Sequence, residues 1–112
     1  MSESLVLALV AADVPDGVVS ALRAGFEEES VPLTVERREH GTGEELGRLA
    51  ASRALLGLGL GIDASGACAV LAAAPAAPYL RAPLTDVRAF AQDAARIAGR
   101  RPLRRRPLIQ SP

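Results

Sequence analysis

The pattern of apolar and polar residues in the first third of the chain predicts a strand, a helix and a second strand. Residues 4–11 are almost continuously apolar, which is typical of a buried strand. Asp13 and Pro15 mark the start of a helix, which should end near residues 29–30. The apolar stripe of that helix consists of Val18, Leu22 and Phe26. Residues 31–37 alternate in polarity and predict the second strand.

A second helix and a glycine-rich strand are predicted next. Thr42 followed by Glu45 fits a capping box, so a helix should run from here to about Ala54. Its inward residues should be Leu46, Leu49 and Ala50. Residues 55–62 alternate large apolar residues with glycines and predict a strand with one bare face, formed by Gly57, Gly59 and Gly61. Such a face lets another backbone approach closely.

The rest of the chain predicts a hairpin, a loop, a last helix and a tail. Residues 63–66 are a turn sequence, and residues 67–73 should return beside the glycine strand. A proline-punctuated loop with an extended piece at residues 79–80 precedes a helix over residues 84–98. Gly99 suits the position just after a helix end. The residues expected on the apolar side of that helix are Leu84, Val87, Phe90, Ala91, Ala94 and Ile97.

This order of elements predicts an α/β fold. We expect a single three-layer, Rossmann- or flavodoxin-related domain over residues 1–99, with a partly parallel sheet that ends in an antiparallel hairpin. Residues 100–112 are expected to form an arginine- and proline-rich C-terminal tail. The length of 112 residues suits one domain, and a hydrophobic content of 49% favours a folded chain over a disordered one.

Charge and cysteine content indicate which partners and which cellular compartment to expect. Residues 1–80 hold eleven carboxylates and five arginines, a balance of −6, whereas residues 81–112 carry +6, which suits a protein with charged partners. The sequence has no run of about 18 apolar residues, so no membrane span is expected, and no membrane is expected among the partners. Cys68 is the only cysteine, and the start of the sequence lacks the features of a signal peptide. We therefore expect a cytoplasmic protein.

The acidic run Glu27, Glu28 and Glu29 is the main functional candidate. It lies at the predicted C-terminal end of a helix, where the helix dipole disfavours carboxylates by about 0.3–1 kcal/mol each. Residues that break a local rule often mark function, and clustered carboxylates suit a hard divalent cation such as magnesium. A solvated acidic helix end is the structural alternative, and the residues alone leave both open.

Other candidate motifs favour structural interpretations. The alternating glycines lack the G-x-G-x-x-G spacing of a nucleotide loop. His40 and Cys68 have no neighbours at metal-ligand spacing; we expect an exposed His40 and a buried Cys68. The arginines of the tail could contact phosphates, but the chain is neutral overall, so nucleic acid is not the expected partner. No motif assembles a nucleophile, a base and an oxyanion hole, so we expect no catalytic activity.

Several segments together resemble a known family. Residues 25–32, Gly-Phe-Glu-Glu-Glu-Ser-Val-Pro, are similar to a Gly-hydrophobic-Glu-Glu-Glu-Gly-Ile-Pro segment of the small (β) subunit of diol and glycerol dehydratase reactivating factors. The similarity continues through residues 49–59, 64–66, 75–83 and 94–103, which covers nearly the whole chain. Ser30 departs from the family's usual glycine and must then adopt a left-handed conformation that glycine tolerates better.

The resemblance implies a chaperone-like function. The family's partner is a large ATPase subunit, which binds ATP or ADP, in an α2β2 complex that releases damaged cobalamin from adenosylcobalamin-dependent diol or glycerol dehydratase. The small subunit shares its fold with the dehydratase β subunit, which is thought to permit subunit exchange. The middle glutamate of the acidic run approaches a magnesium ion held mainly by the large subunit, which implies a metal-site role for Glu28 and partner binding by Glu27, Glu28 and Glu29.

Two alternatives remain open from the sequence. The chain could be a structural subunit of a dehydratase, similar to its β subunit, or the arginine tail could bind nucleic acid with a strong salt dependence. The sequence does not distinguish propane-1,2-diol from glycerol as the client's substrate. It also does not decide association with a microcompartment.

Overall fold

A computed structural model describes residues 4–100, apart from the side chain of Arg100. Five strands and three helices alternate much as the sequence predicts. The elements are β1 (Val6–Ala11), α1 (Asp16–Glu28), β2 (Thr34–Arg38), α2 (Gly43–Arg53), β3 (Leu58–Asp63), β4 (Gly66–Leu71), β5 (Leu80–Ala82), a 3-10 turn (Leu84–Asp86) and α3 (Val87–Arg100). Within residues 4–100, no helix combines the length and apolar character needed to cross a bilayer.

The strands form one sheet in the order β2-β1-β3-β4-β5. Strand β1 pairs in parallel with β2 and β3, whereas β3–β4 and β4–β5 are antiparallel. This neighbour order is that of flavodoxin-like sheets, in which all strands are parallel. Here the tight turn after Asp63 reverses the chain, so a hairpin replaces a crossover helix. The predicted α/β fold with a partly parallel sheet is confirmed.

Strand β3 gives the sheet two different faces. A Cβ atom on Gly59 would lie 2.0 Å from the backbone nitrogen of Ala51, and one on Gly61 would lie 1.9 Å from the carbonyl oxygen of Gly43. Helix α2 therefore lies directly on the glycine face, as the sequence predicts. The alternating large residues Leu58, Leu60 and Ile62 are fully buried on the opposite face, in one core with Phe26 of α1 and Phe90 of α3.

Gly57 does not belong to this face, contrary to the prediction. Its φ of +71° places it in a turn before β3, where its N–H donates to the carbonyl of Ala54 at 3.0 Å. The chain leaves α2 and must turn before it can pair with β1, so regular strand begins only at Leu58. Strand β2 likewise begins later than predicted, at Thr34, because Val31 completes the end of α1.

Two predicted helix positions are also wrong. Leu49 is 41% exposed, because glycines define the face of α2 that lies on the sheet. At 100° per residue, Leu49 points about 130° away from the centre of that face. Gly99 lies inside α3, which continues to Arg100, so Gly99 is not a helix-ending residue. The tail predicted for residues 100–112 otherwise falls outside the described residues.

Candidate functional site

The C-terminal end of α1 is closed by Ser30 in the left-handed conformation. Its φ is +58°. The N–H of Ser30 donates to the carbonyl of Glu27 at 3.0 Å, and that of Val31 donates to Phe26 at 3.1 Å, which is the Schellman pattern. A Cβ atom is unfavourable here, so glycine is the preferred residue. The expected left-handed conformation at Ser30 is confirmed.

Gly25 lets helix α3 cross closely over the same end of α1. A Cβ atom on Gly25 would lie 2.5 Å from the Cβ of Ala91 and 2.7 Å from the carbonyl oxygen of Arg88. Real Cβ atoms essentially never approach other atoms within 3.0 Å, so the contact requires glycine. The crossing brings the polar side of α3 next to the acidic run.

The acidic run is paired across this helix interface. One carboxylate oxygen of Glu28 accepts a hydrogen bond from the guanidinium of Arg88, and the other accepts one from the side-chain amide of Gln92. Glu29 forms an ion pair with Arg96 at 3.2 Å. The last turn of α1 contains no basic residue, so α3 supplies the positive charge that this negative helix end lacks.

The three glutamates do not converge on one point. Glu27 is exposed and forms no ion pair within residues 4–100, while Glu28 and Glu29 turn to different residues of α3. In that part of the chain no three His, Cys, Asp or Glu side chains are grouped to hold a metal. Carboxylate oxygens suit magnesium, so the donor chemistry of a glutamate fits such an ion, and within residues 4–100 each of these glutamates could provide only a single ligand.

A second candidate region is an open groove of about 650 Å³ beside the β3–β4 turn. Asp63 is one of its lining residues and accepts hydrogen bonds from the N–H of Gly43 at 2.7 Å and of Ser65 at 2.8 Å. Burial acts to raise the pKa of Asp63, but the hydroxyl of Ser65 and the surrounding N–H groups outweigh it and hold the pKa below its ordinary value. Asp63 therefore fastens the start of α2 to the hairpin as an anion.

Two other charged residues that line the groove pair with each other. Arg81 of β5 pairs with Glu44 of α2, and this contact lowers the pKa of Glu44.

Burial raises the pKa of Cys68, so its thiol is held protonated and is a poor nucleophile. His40 is 94% exposed and forms no hydrogen bond with Cys68. The expected exposed histidine and buried cysteine are confirmed.

A profile of the dehydratase medium subunit family matches residues 5–104. The chain belongs to the dehydratase medium subunit family. None of the curated proteins matches this chain significantly.

Two solved structures share the fold of this chain. A glycerol dehydratase reactivase matches with a TM-score of 0.77 and 25% identity, over 88% of this chain and 93% of its own. A diol dehydratase-reactivating factor, solved with ADP and Mg²⁺, matches with a TM-score of 0.74 and 20% identity, over 88% and 94%. The resemblance stated from the sequence is thus confirmed, and the second match bears on the fold alone.

Arg88, Gln92 and Arg96 are the residues that sequence reasoning missed. They recur every four residues and so form a polar stripe on α3 beside its apolar face. Their relation to the acidic run depends on the contact between α1 and α3, which periodicity within one helix does not reveal. The opposite charge balances of the two parts of the chain were the available signal.

Proposed function

We propose that this chain is the small, non-catalytic subunit of a dehydratase-reactivating factor. The observation that carries the proposal is the match to glycerol dehydratase reactivase, which extends over nearly the full length of both chains. With a large ATPase subunit, in an α2β2 complex, the chain promotes release of damaged cobalamin from a cytoplasmic diol or glycerol dehydratase. ATP or ADP binds to the large subunit.

The acidic end of α1 is the proposed contact with that large subunit. Glu27 is exposed and Glu28 and Glu29 lie at the surface, so a partner can reach all three. Glu28 provides one carboxylate to a magnesium ion whose other ligands come mainly from the large subunit. This assignment agrees with the absence of a complete metal cluster within residues 4–100.

The direct test is reactivation of glycerol-inactivated dehydratase by the large ATPase subunit, ATP and magnesium, with and without this chain. We expect recovery of dehydratase activity to require the chain, and the chain alone to hydrolyse no ATP. Recovery that is equally fast without the chain, or a chain that stays monomeric beside the ATPase, would contradict the proposal. Co-purification with dehydratase alone would instead favour a structural dehydratase subunit.

Glu28→Gln tests the metal contact within this proposal. It keeps the size of the side chain but removes its charge and replaces one of its two acceptor oxygens with a donor amide. Affinity for the large subunit should fall in magnesium and change little in EDTA. Glu27→Gln is the matched neighbour, and its effect should not depend on magnesium. Equal affinities of Glu28→Gln and the unaltered chain would exclude a ligand role for Glu28.

A further inference from the structure

Both oxygens of Glu28 are already engaged within the chain. Arg88 pairs with one oxygen and Gln92 donates to the other. A cation bound to this carboxylate would lie close to the positive guanidinium and would be repelled by it. The pair with Arg88 therefore opposes direct coordination, which is favoured when the pair opens.

The ion pair between Arg88 and Glu28 lies at the surface, where it can open. The side chain of Arg88 is 60% exposed and that of Glu28 is 36% exposed, so the released guanidinium can be solvated by water. Exposed ion pairs of this kind contribute little to stability. Opening the pair therefore has a small cost and leaves no buried charge.

We infer that Arg88 is an internal competitor for Glu28, which it holds in the free chain and releases when the partner's magnesium binds. This inference rests on the proposed function, because it concerns the same carboxylate. Arg88 is thus a positioning residue that sets how strongly magnesium promotes docking. Gln92 is uncharged, so it can keep its hydrogen bond to the second oxygen and hold the side chain in place.

Arg96 provides a matched control on the same helix. It pairs with Glu29 at 3.2 Å and with Asp93 at 3.5 Å, and its side chain is 49% exposed. Arg96→Gln therefore removes the same charge from the same region of α3 without freeing Glu28.

The experiment is a titration of the large subunit with the unaltered chain, Arg88→Gln and Arg96→Gln, in magnesium and in EDTA. We expect Arg88→Gln to tighten binding about 1.5- to 5-fold in magnesium only, as the strength of an exposed pair implies. Arg96→Gln should have the same effect in both conditions. In the Glu28→Gln background, Arg88→Gln should no longer tighten binding.

The outcomes separate this inference from the proposed function. If the unaltered chain binds but Arg88→Gln leaves magnesium-dependent binding unchanged or weakens it, the competition is refuted and the proposed function stands. Equal tightening in magnesium and EDTA also refutes it, because the effect would then be general electrostatics. If the unaltered chain does not bind the large subunit, both ideas fail. Misfolding does not imitate the expected result, since a misfolded chain binds less tightly.

Discussion

Replacement of Gly61 by alanine places a methyl group where helix α2 already lies. The new Cβ would be 1.9 Å from the carbonyl oxygen of Gly43 and 2.4 Å from the backbone nitrogen of Gly47. Ordinary contact begins at 3.4 Å, so α2 would have to recede by about 1.5 Å. The obstructing atoms are backbone, so no side-chain rotation relieves the clash. A shift of α2 also strains the hydrogen bond from Gly43 to Asp63.

The expected loss is at the upper end of the range for overpacked cores, about 3 kcal/mol in the free energy of unfolding. That is a large part of the ~5–15 kcal/mol typical of such domains, and it should lower the Tm by roughly 12–24 °C. Urea unfolding followed by circular dichroism measures it. Gly17→Ala in α1 is the control: its Cβ meets nothing within 4 Å, so it should be neutral or stabilise by up to about 1 kcal/mol. A cost below about 1 kcal/mol for Gly61→Ala would refute the close approach of α2.

Three further changes test separate contacts. Ser30→Gly should stabilise the chain by about 1 kcal/mol in urea unfolding because it relieves the left-handed Cβ, whereas Ser30→Ala should not. Asp63→Asn should cost about 1–3 kcal/mol at neutral pH. The folded-state pKa of Asp63 is lowered, so the contribution of this carboxylate to stability is complete above its ordinary pKa of 3.8 and is lost as the pH falls through the folded-state pKa. Acid titrations of stability should therefore show less of this loss in Asp63→Asn. Arg37→Ala should cost about 1–3 kcal/mol in thermal unfolding, since the guanidinium donates to the carbonyls of Ala11 and Val14, at 3.0 and 2.7 Å; equal stability would contradict that role.

The acidic run illustrates how tertiary contacts alter a local argument. Considered within α1 alone, Glu28 and Glu29 are misplaced at a negative helix end, which suggested a functional reason for their presence. Across the helix interface, Arg88 and Arg96 supply the missing positive charge. The unfavourable placement is therefore compensated within the chain, and a role in docking must rest on exposure and family membership.

The order of the elements, the capping box at Thr42 and the bare face of β3 were predictable because they depend on neighbours within a few residues. The family resemblance was likewise carried by local segments and their spacing. The outward position of Leu49 and the turn at Gly57 depended on how α2 settles on the sheet. Only the tertiary structure brings together the acidic run on α1 and the polar stripe on α3, which form the candidate site. Glu28 and Arg88 are 60 positions apart in the chain, and only the contact between α1 and α3 brings their opposite charges together.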